Sequence, residues 1–170
     1  MIIQSPDLSQ LQGLTELAQR TYTQAFGHSF SPQDLQAHVA RHLSQTRIAQ
    51  MMVEDQWLIA IQAGSMLGFI QIGDAIGVAG AAKEDLELRR LYVSAQHQTK
   101  RIGSKLMEAA LDLEVLRAAP RIWLDVWEAN LGAIRFYQRF GFRIVDTRTF
   151  NVASGAETDL DLIMVRRSSQ

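Results

Sequence analysis

The sequence contains no cysteine. That excludes a disulfide scaffold, a thiol nucleophile and any zinc site with sulfur ligands. It carries no excess of either charge: 17 Lys+Arg stand against 18 Asp+Glu, a formal net charge of -1. Such a balance is not that of a protein that grips duplex DNA through a global positive field. Long apolar runs are missing too. Trp57 to Ile61 is far short of the ~20 residues a membrane helix needs. The opening Met1-Ile-Ile-Gln-Ser-Pro6 has neither a basic n-region nor a long apolar h-region. The expectation is a soluble, cytoplasmic protein with neither a nucleic-acid nor a membrane partner. There is no internal repeat, linker or low-complexity tract. Gly-x-Gly-x-x-Gly and Gly-x-x-x-x-Gly-Lys-Ser/Thr are both absent, so a dinucleotide fold and a P-loop nucleotidase find no support.

What is present describes a globular protein. A chain of 170 residues fits one domain, one that buries roughly 70% of the surface exposed by its unfolded chain. A hydrophobic share of 47% with 21% charged residues is ordinary for a folded protein. The expectation is a single domain over residues 1–170.

Periodicity and punctuation predict the elements. Met1 to Gln4 reads as a short strand. Ser5-Pro6-Asp7 reads as a helix start, with an N-cap, a proline at the first helical position and an acid in the first turn. Leu8, Leu11, Leu14, Ala18, Tyr22 and Ala25 then form an apolar face that Gly27 ends. Ser31-Pro32-Gln33-Asp34 repeats the grammar as a capping box, and Leu35, Val39 and Leu43 mark a second helix. Thr46 to Glu54 adds a short third turn. Trp57 to Ala63 and Leu67 to Asp74 read as a hairpin turning at Gly64-Ser65. Residues 75 to 83 form a small-residue loop. Glu87 to Val93 is the next strand, with Glu87, Arg89, Leu91 and Val93 on one face and Leu88, Arg90 and Tyr92 on the other. Ile102 to Arg117 has the clearest helical spacing, and Pro120 marks its exit. Arg121 to Trp127 is a strand. Asn130 to Phe140 is a helix closed by Gly141 in the C′ position. Phe142 to Phe150 and Thr158 to Val165 are two final strands around the turn Ala153-Ser154-Gly155. Hairpins mixed with strand–helix–strand units predict an α+β (mixed α/β) fold: a mixed, twisted sheet of about seven strands with helices on both faces.

Two segments carry chemistry. In the first, a strand ending at Val93 runs into a polar loop with Gln98, Lys100, Arg101 and Gly103, and a helix begins at once. A loop at a helix N-terminus offers unpaired N–H groups and a positive dipole end, which suits a phosphate. The plainer reading is a solvated basic loop. In the second, Asn130 and Tyr137 are seven apart and share one face of a helix. Asn130 can cap that helix or hydrogen-bond a ligand amide. The Tyr137 phenol, with an ordinary pKa near ~10, can protonate a strongly basic leaving anion. The plainer reading is an N-cap and a core tyrosine. His38 and His42 have a spacing that can bind metal, but no Glu follows His38 and no third ligand is evident, so no metal is expected. Trp123 and Trp127 read as packing. Asp125, Glu128, Asp159 and Asp161 read as a solvated acidic edge, with attraction of a polycation as the alternative.

Together the two segments resemble the GNAT superfamily of acyl-CoA N-acyltransferases. Its Gln/Arg-x-x-Gly-x-Gly/Ala signature is read here as Gln98-Thr-Lys-Arg101-Ile-Gly103. Arg101 stands where the signature has its first glycine, so the backbone there carries a side chain. The second signature, Asn-x-x-Ala-x-x-Phe-Tyr-x-x-x-Gly-Phe, is complete from Asn130 to Phe142. Leu88-Arg-Arg-Leu-Tyr-Val93, Ile122-Trp-Leu-Asp-Val-Trp-Glu-Ala-Asn130 and Thr158-Asp-Leu-Asp-Leu-Ile-Met164 resemble, less specifically, the PaiA-type polyamine N-acetyltransferases.

The resemblance implies the GNAT fold and direct attack of an amine on acetyl-CoA in a ternary complex. It places the pyrophosphate on backbone N–H groups of Gln98, Thr99, Lys100, Arg101, Ile102, Gly103 and Ser104, and the pantetheine arm along Leu91, Tyr92 and Val93. A backbone N–H near Leu91 serves the oxyanion, Asn130 helps hold the cosubstrate, and Tyr137 protonates the departing thiolate. Glu87 aligns with the catalytic glutamate of well-known members. It becomes the candidate base, directly or through water, as a partly buried carboxylate of raised pKa; a surface strand-end glutamate is the alternative. The implied acceptor is a small amine, with polyamines favoured. A peptide or protein amine and a non-catalytic acyl-CoA-binding module stay open. So does a homodimer through a C-terminal edge strand, as in many relatives.

Overall fold

A computed structural model of the chain describes residues 1–27, 30–98, 100–151 and 158–168. The expected turn Ala153-Ser154-Gly155 and Thr99 lie outside the described residues. Seven strands, β1 (Ile2–Gln4), β2 (Gln56–Gln62), β3 (Ser65–Asp74), β4 (Leu86–Val93), β5 (Arg121–Trp127), β6 (Arg143–Asn151) and β7 (Thr158–Arg167), form one mixed sheet in the order β1-β2-β3-β4-β5-β7-β6. β4 and β5 pair in parallel through Leu86↔Ile122 and Glu87↔Trp123. β1–β2, β2–β3, β5–β7 and β6–β7 pair antiparallel. Among the described residues six α-helices flank the sheet: α1 (Leu11–Phe26), α2 (Pro32–His42), α3 (Gln45–Glu54), α4 (Ile102–Leu111), α5 (Glu114–Ala118) and α6 (Leu131–Arg139). The element order is the predicted one, except that α4 and α5 stand where a single helix is expected.

The chain divides into two compact units that meet in sequence within β4. The first comprises Met1–Gly73 and Arg90–Leu113. Its core gathers Leu14, Leu17 and Ala18 of α1, Leu43, Ile48 and Met51 around α3, and Trp57, Ile59 and Phe69 of the hairpin. The Trp57 indole N–H donates to the Met51 carbonyl at 3.1 Å, so a buried polar atom is satisfied. On the opposite face of the hairpin, Gly68 faces Leu106 of α4. A Cβ there would stand 2.7 Å from the Tyr92 carbonyl oxygen and 3.3 Å from Leu106 Cδ1. Only glycine lets β3, β4 and α4 approach so closely.

The second unit comprises Asp74–Arg89 and Glu114–Gln170. Trp123, Ile163 and Val165 pack on one sheet face beneath Ala75, with Val78 and Ala81 against them. Asp85 is buried at the root of that 75–85 segment. It accepts from Trp123 Nε1 at 3.0 Å and from the Ala82 N–H at 2.7 Å, and pairs with Arg121 at 2.7 Å. Burial alone would raise its carboxyl, but these donors outweigh it and hold the pKa below the ordinary range.

Four local expectations are corrected. The first helix is capped by Asp7 rather than Ser5. The Asp7 carboxylate accepts from the Ser9 N–H at 2.8 Å and the Gln10 side chain accepts from the Asp7 N–H at 3.0 Å. That capping box opens a 3-10 turn, Leu8–Gln10, which runs into α1. Thr46 to Glu54 is a full helix, α3, capped by Ser44. The hairpin turns at Ala63-Gly64, both left-handed with φ +49 and +77, the two-residue turn whose twist matches the strands. The helix expected from Ile102 to Arg117 breaks after Leu111, where the Leu113 N–H bonds to the Ala110 carbonyl at 3.0 Å and tightens the last turn.

Candidate active site

The first unit carries the loop and helix expected to meet a phosphate. Ser94 is buried at the end of β4, and its N–H donates to the Leu67 carbonyl at 2.8 Å. A 3-10 turn, Ala95–His97, follows. Gln98 turns back, its amide donating to the Val93 carbonyl at 3.4 Å. Arg101 then adopts φ +57 and ψ +19 as the N-cap of α4, and its side chain makes no cap hydrogen bond. The first intrahelical bond runs from the Lys105 N–H to the Arg101 carbonyl at 3.0 Å. By helix geometry the amides of Ile102, Gly103 and Ser104 have no intrahelical partner. Lys100, Arg101 and Lys105 are exposed around them, adding cationic charge to the dipole's positive end. This donor set suits an anionic diphosphate. The left-handed φ also explains why the family signature has glycine at this position: a Cβ there costs roughly 1–2 kcal/mol.

Leu91, Tyr92 and Val93 lie half-buried in the same unit. Tyr92 packs against Phe69 at 5.7 Å between ring centroids, and burial pushes its phenol up to about 12. Beside it runs a polar relay that composition and spacing did not reveal. The Asp55 carboxylate accepts from Gln71 Nε2 at 2.5 Å, and Gln71 Oε1 accepts from Arg90 at 2.5 Å. Gln71 is fully buried. Its amide therefore carries a hydrogen-bonded link from a buried acid to a guanidinium on β4. His38, set aside as a metal ligand, stacks on Tyr22 at 4.7 Å with 6° between the rings, and His42 lies 4.5 Å from it. Burial, then His42 and Arg90, hold His38 below its ordinary pKa. Among the described residues no group of three or more His, Cys, Asp or Glu is placed to hold a metal ion. None of the described helices is long and apolar enough to cross a membrane.

The second unit carries Glu87, Asn130 and Tyr137. Glu87 is partly buried, and its carboxylate lies 3.6 Å from Arg89 Nε, the next residue on its strand face. Arg89 also donates to the Asp74 carbonyl at 3.0 Å. Asn130 caps α6 as read from the sequence, its Oδ1 accepting from the Ala133 N–H at 3.1 Å. The helix closes on Gly141 at φ +84. The Gly141 N–H reaches the Gln138 carbonyl at 3.0 Å and the Phe142 N–H reaches the Tyr137 carbonyl at 3.2 Å, the paired bonds of a Schellman end. Tyr137 is buried and meets Phe142 edge-on at 5.8 Å. Phe136, the preceding residue, meets the same ring edge-on at 5.3 Å, so the ring is flanked from both directions along the chain. The structure places Leu91 to Val93, Gln98 and Lys100 to Ser104 in the first unit, and Glu87, Asn130 and Tyr137 in the second.

Comparison with known proteins bears on the family and the fold. The model of the acetyltransferase (GNAT) family matches residues 11–142. An uncharacterized N-acetyltransferase of Mycobacterium tuberculosis is 31% identical over 157 residues, covering 90% of this chain and 94% of its own. The spermine/spermidine N(1)-acetyltransferase of Bacillus subtilis is 38% identical over 65 residues, 38% of this chain and 43% of its own. The PaiA N-acetyltransferase of Thermoplasma acidophilum, solved with coenzyme A, superposes with a TM-score of 0.76 at 21% identity, covering 98% of this chain and 99% of that chain. The ribosomal-protein-S18-alanine N-acetyltransferase of Escherichia coli does so at 0.72 and 21% identity, covering 99% of this chain and 94% of that chain. The Bacillus subtilis and Escherichia coli proteins are named for different acceptors, while the two solved structures share this fold. By its signatures, its seven-stranded mixed sheet and these matches, the chain belongs to the GNAT family of acetyl-CoA-dependent acetyltransferases.

Proposed function

We propose that this chain transfers the acetyl group of acetyl-CoA to the primary amine of a small molecule, with polyamines such as spermidine the favoured acceptors. The observation that carries the cosubstrate half is the start of α4: three first-turn amides that the N-cap side chain leaves uncapped, ringed by Lys100, Arg101 and Lys105. Those groups would hold the pyrophosphate, with Gln98 and Thr99 completing the loop. The backbone of Leu91 to Val93 would pair with the pantetheine arm, and an N–H near Leu91 would bond the carbonyl oxygen as it gains charge. The polyamine preference draws its support from the Bacillus subtilis relative.

Glu87 takes the proton that the ammonium must lose before its nitrogen can attack, directly or through a water. The nitrogen forms a bond to the thioester carbon, the carbon–sulfur bond breaks, and Tyr137 gives its phenolic proton to the departing thiolate. Asn130 orients the cosubstrate while capping the helix that holds Tyr137.

The test is thiol release from acetyl-CoA across a panel of amines that includes spermidine and spermine. With no cysteine in the chain, a thiol reagent reports CoA alone. Amine-dependent release should fall by about 10²-fold or more in Tyr137→Phe. Binding of acetyl-CoA without release by any amine would replace this reading with a peptide acceptor or a binding module.

A further inference from the structure

In the first unit, α1, α3 and α4 each bury at least one side chain, as α5 and α6 do in the second. Among the described residues α2 buries none. Its inner face offers Leu35, His38 and Val39, all half-buried, at the three-and-four spacing of one helix face. Leu35 reaches Gly27, where an added Cβ would stand 3.6 Å from its Cδ2. Val39 packs against the core of the unit. Between them His38 lies flat on Tyr22 of α1, with 4.7 Å between ring centroids and 6° between the planes. An imidazole is thus the middle of three contacts that seat the helix, and its charge can change near neutral pH. Its surroundings oppose that charge. On α2, His42 lies 4.5 Å from it and Arg41 is exposed three residues on. From β4, the Arg90 charge is felt by His38, Tyr22 and Tyr92. The acids nearby are engaged elsewhere. Asp34, one turn before His38, accepts from the Ser31 hydroxyl at 2.7 Å, and Asp55 is tied to Gln71.

We propose that α2 is a pH-sensitive flap: the neutral imidazole of His38 fastens it to Tyr22, and a proton on that imidazole loosens it. A seated imidazolium gives up hydration and stands against His42 and Arg90, whereas a released one does neither. Attraction of a cation to the Tyr22 ring works against release and is outweighed by the lost hydration and the two neighbours. The sign follows. Seating is at full strength above the pKa of a free imidazole, ~6.5. It weakens as pH falls below that value toward the lower pKa of seated His38. Loosening uncovers Tyr22, and the device does not depend on which acceptor is acetylated or on whether any is.

The experiment is amide hydrogen exchange of the full chain at about pH 5 and about pH 7.5, corrected for the intrinsic rate at each pH, with α1 as the internal reference. Protection of α2 should fall about fivefold at the lower pH while that of α1 holds. His38→Phe keeps a ring on Tyr22 and cannot take the proton, so its α2 should be equally protected at both pH values. His38→Gln removes the ring and should leave α2 poorly protected at both. Proton NMR, with the His38 signal assigned by its loss in the variants, should place its titration below ~6.5. Equal wild-type protection at both pH values overturns the proposal. So does a phenylalanine variant that loses protection as the wild type does, a glutamine variant as protected as the wild type at the higher pH, or a His38 that titrates at or above ~6.5. The wild-type exchange carries the test alone if neither variant folds. None of these readouts involves acetyl transfer, so failure of the flap leaves the acetyltransferase reading to its own thiol-release test.

Discussion

α4 and α6 are both short helices that follow a strand, yet they begin in opposite ways. α6 starts under an asparagine cap and ends in a Schellman pair with an aromatic contact. Each terminus is satisfied by the chain itself. α4 starts with a non-glycine residue in left-handed backbone whose side chain makes no cap hydrogen bond. Local stability argues for α6's design at both places. The difference teaches that the start of α4 carries a backbone strain that α6 avoids, one that the proposed diphosphate site would account for.

Substitutions can break or sharpen that contrast. The largest effect should come from Gly68→Ala. Its new Cβ would meet a backbone carbonyl at 2.7 Å and Leu106 of α4 at 3.3 Å, so the seat of α4 must shift. Urea unfolding should show a loss of about 2–3 kcal/mol, and acetyl-CoA affinity should fall with it. Next come the two ends of α6. Gly141→Ala forces a side chain into φ +84 and should cost about 1–2 kcal/mol; Asn130→Ala removes the cap and should cost about 1 kcal/mol. The smallest effect has the opposite sign. Arg101→Gly relieves the left-handed strain at φ +57 and should gain about 0.5–1 kcal/mol. It also deletes a cation, so acetyl-CoA binding followed by calorimetry should become less salt-dependent. A destabilised Arg101→Gly would mean that the arginine side chain is itself structural, and the contrast with α6 would dissolve.

How much of this was legible depended on how local the cause was. α6 could be read end to end, because its cap, aromatic contact and closing glycine all lie within Asn130 to Phe142. The strands followed from apolar runs bounded by turn residues. Asp7 was misjudged although the signal was present: Gln10, three residues on, completes a box that Leu8 cannot complete for Ser5. The break after Leu111 was illegible, since the apolar spacing continues to Leu116 and no glycine or proline interrupts it. The charge pairings were hidden for another reason. Asp55 reaches Gln71 16 residues away, Gln71 reaches Arg90 a further 19 on, and Arg148 reaches Asp125 across 23. Contacts between strands leave no periodicity in one sequence. In the candidate site, residue types were legible, but the φ of Arg101 and the ion pair of Glu87 needed coordinates.

The placing of the indoles has an optical consequence. The chain has three tryptophans, and they divide between the compact units. Trp57 belongs to the first and is buried against the Met51 carbonyl. Trp123 and Trp127 belong to the second, Trp123 beside the Asp85 carboxylate. Each unit thus carries its own indole emitter, and removing Trp57 leaves tryptophan fluorescence, excited at the red edge where tyrosine does not absorb, that arises from the second unit alone. Unfolding watched through each emitter in turn distinguishes one cooperative event from two.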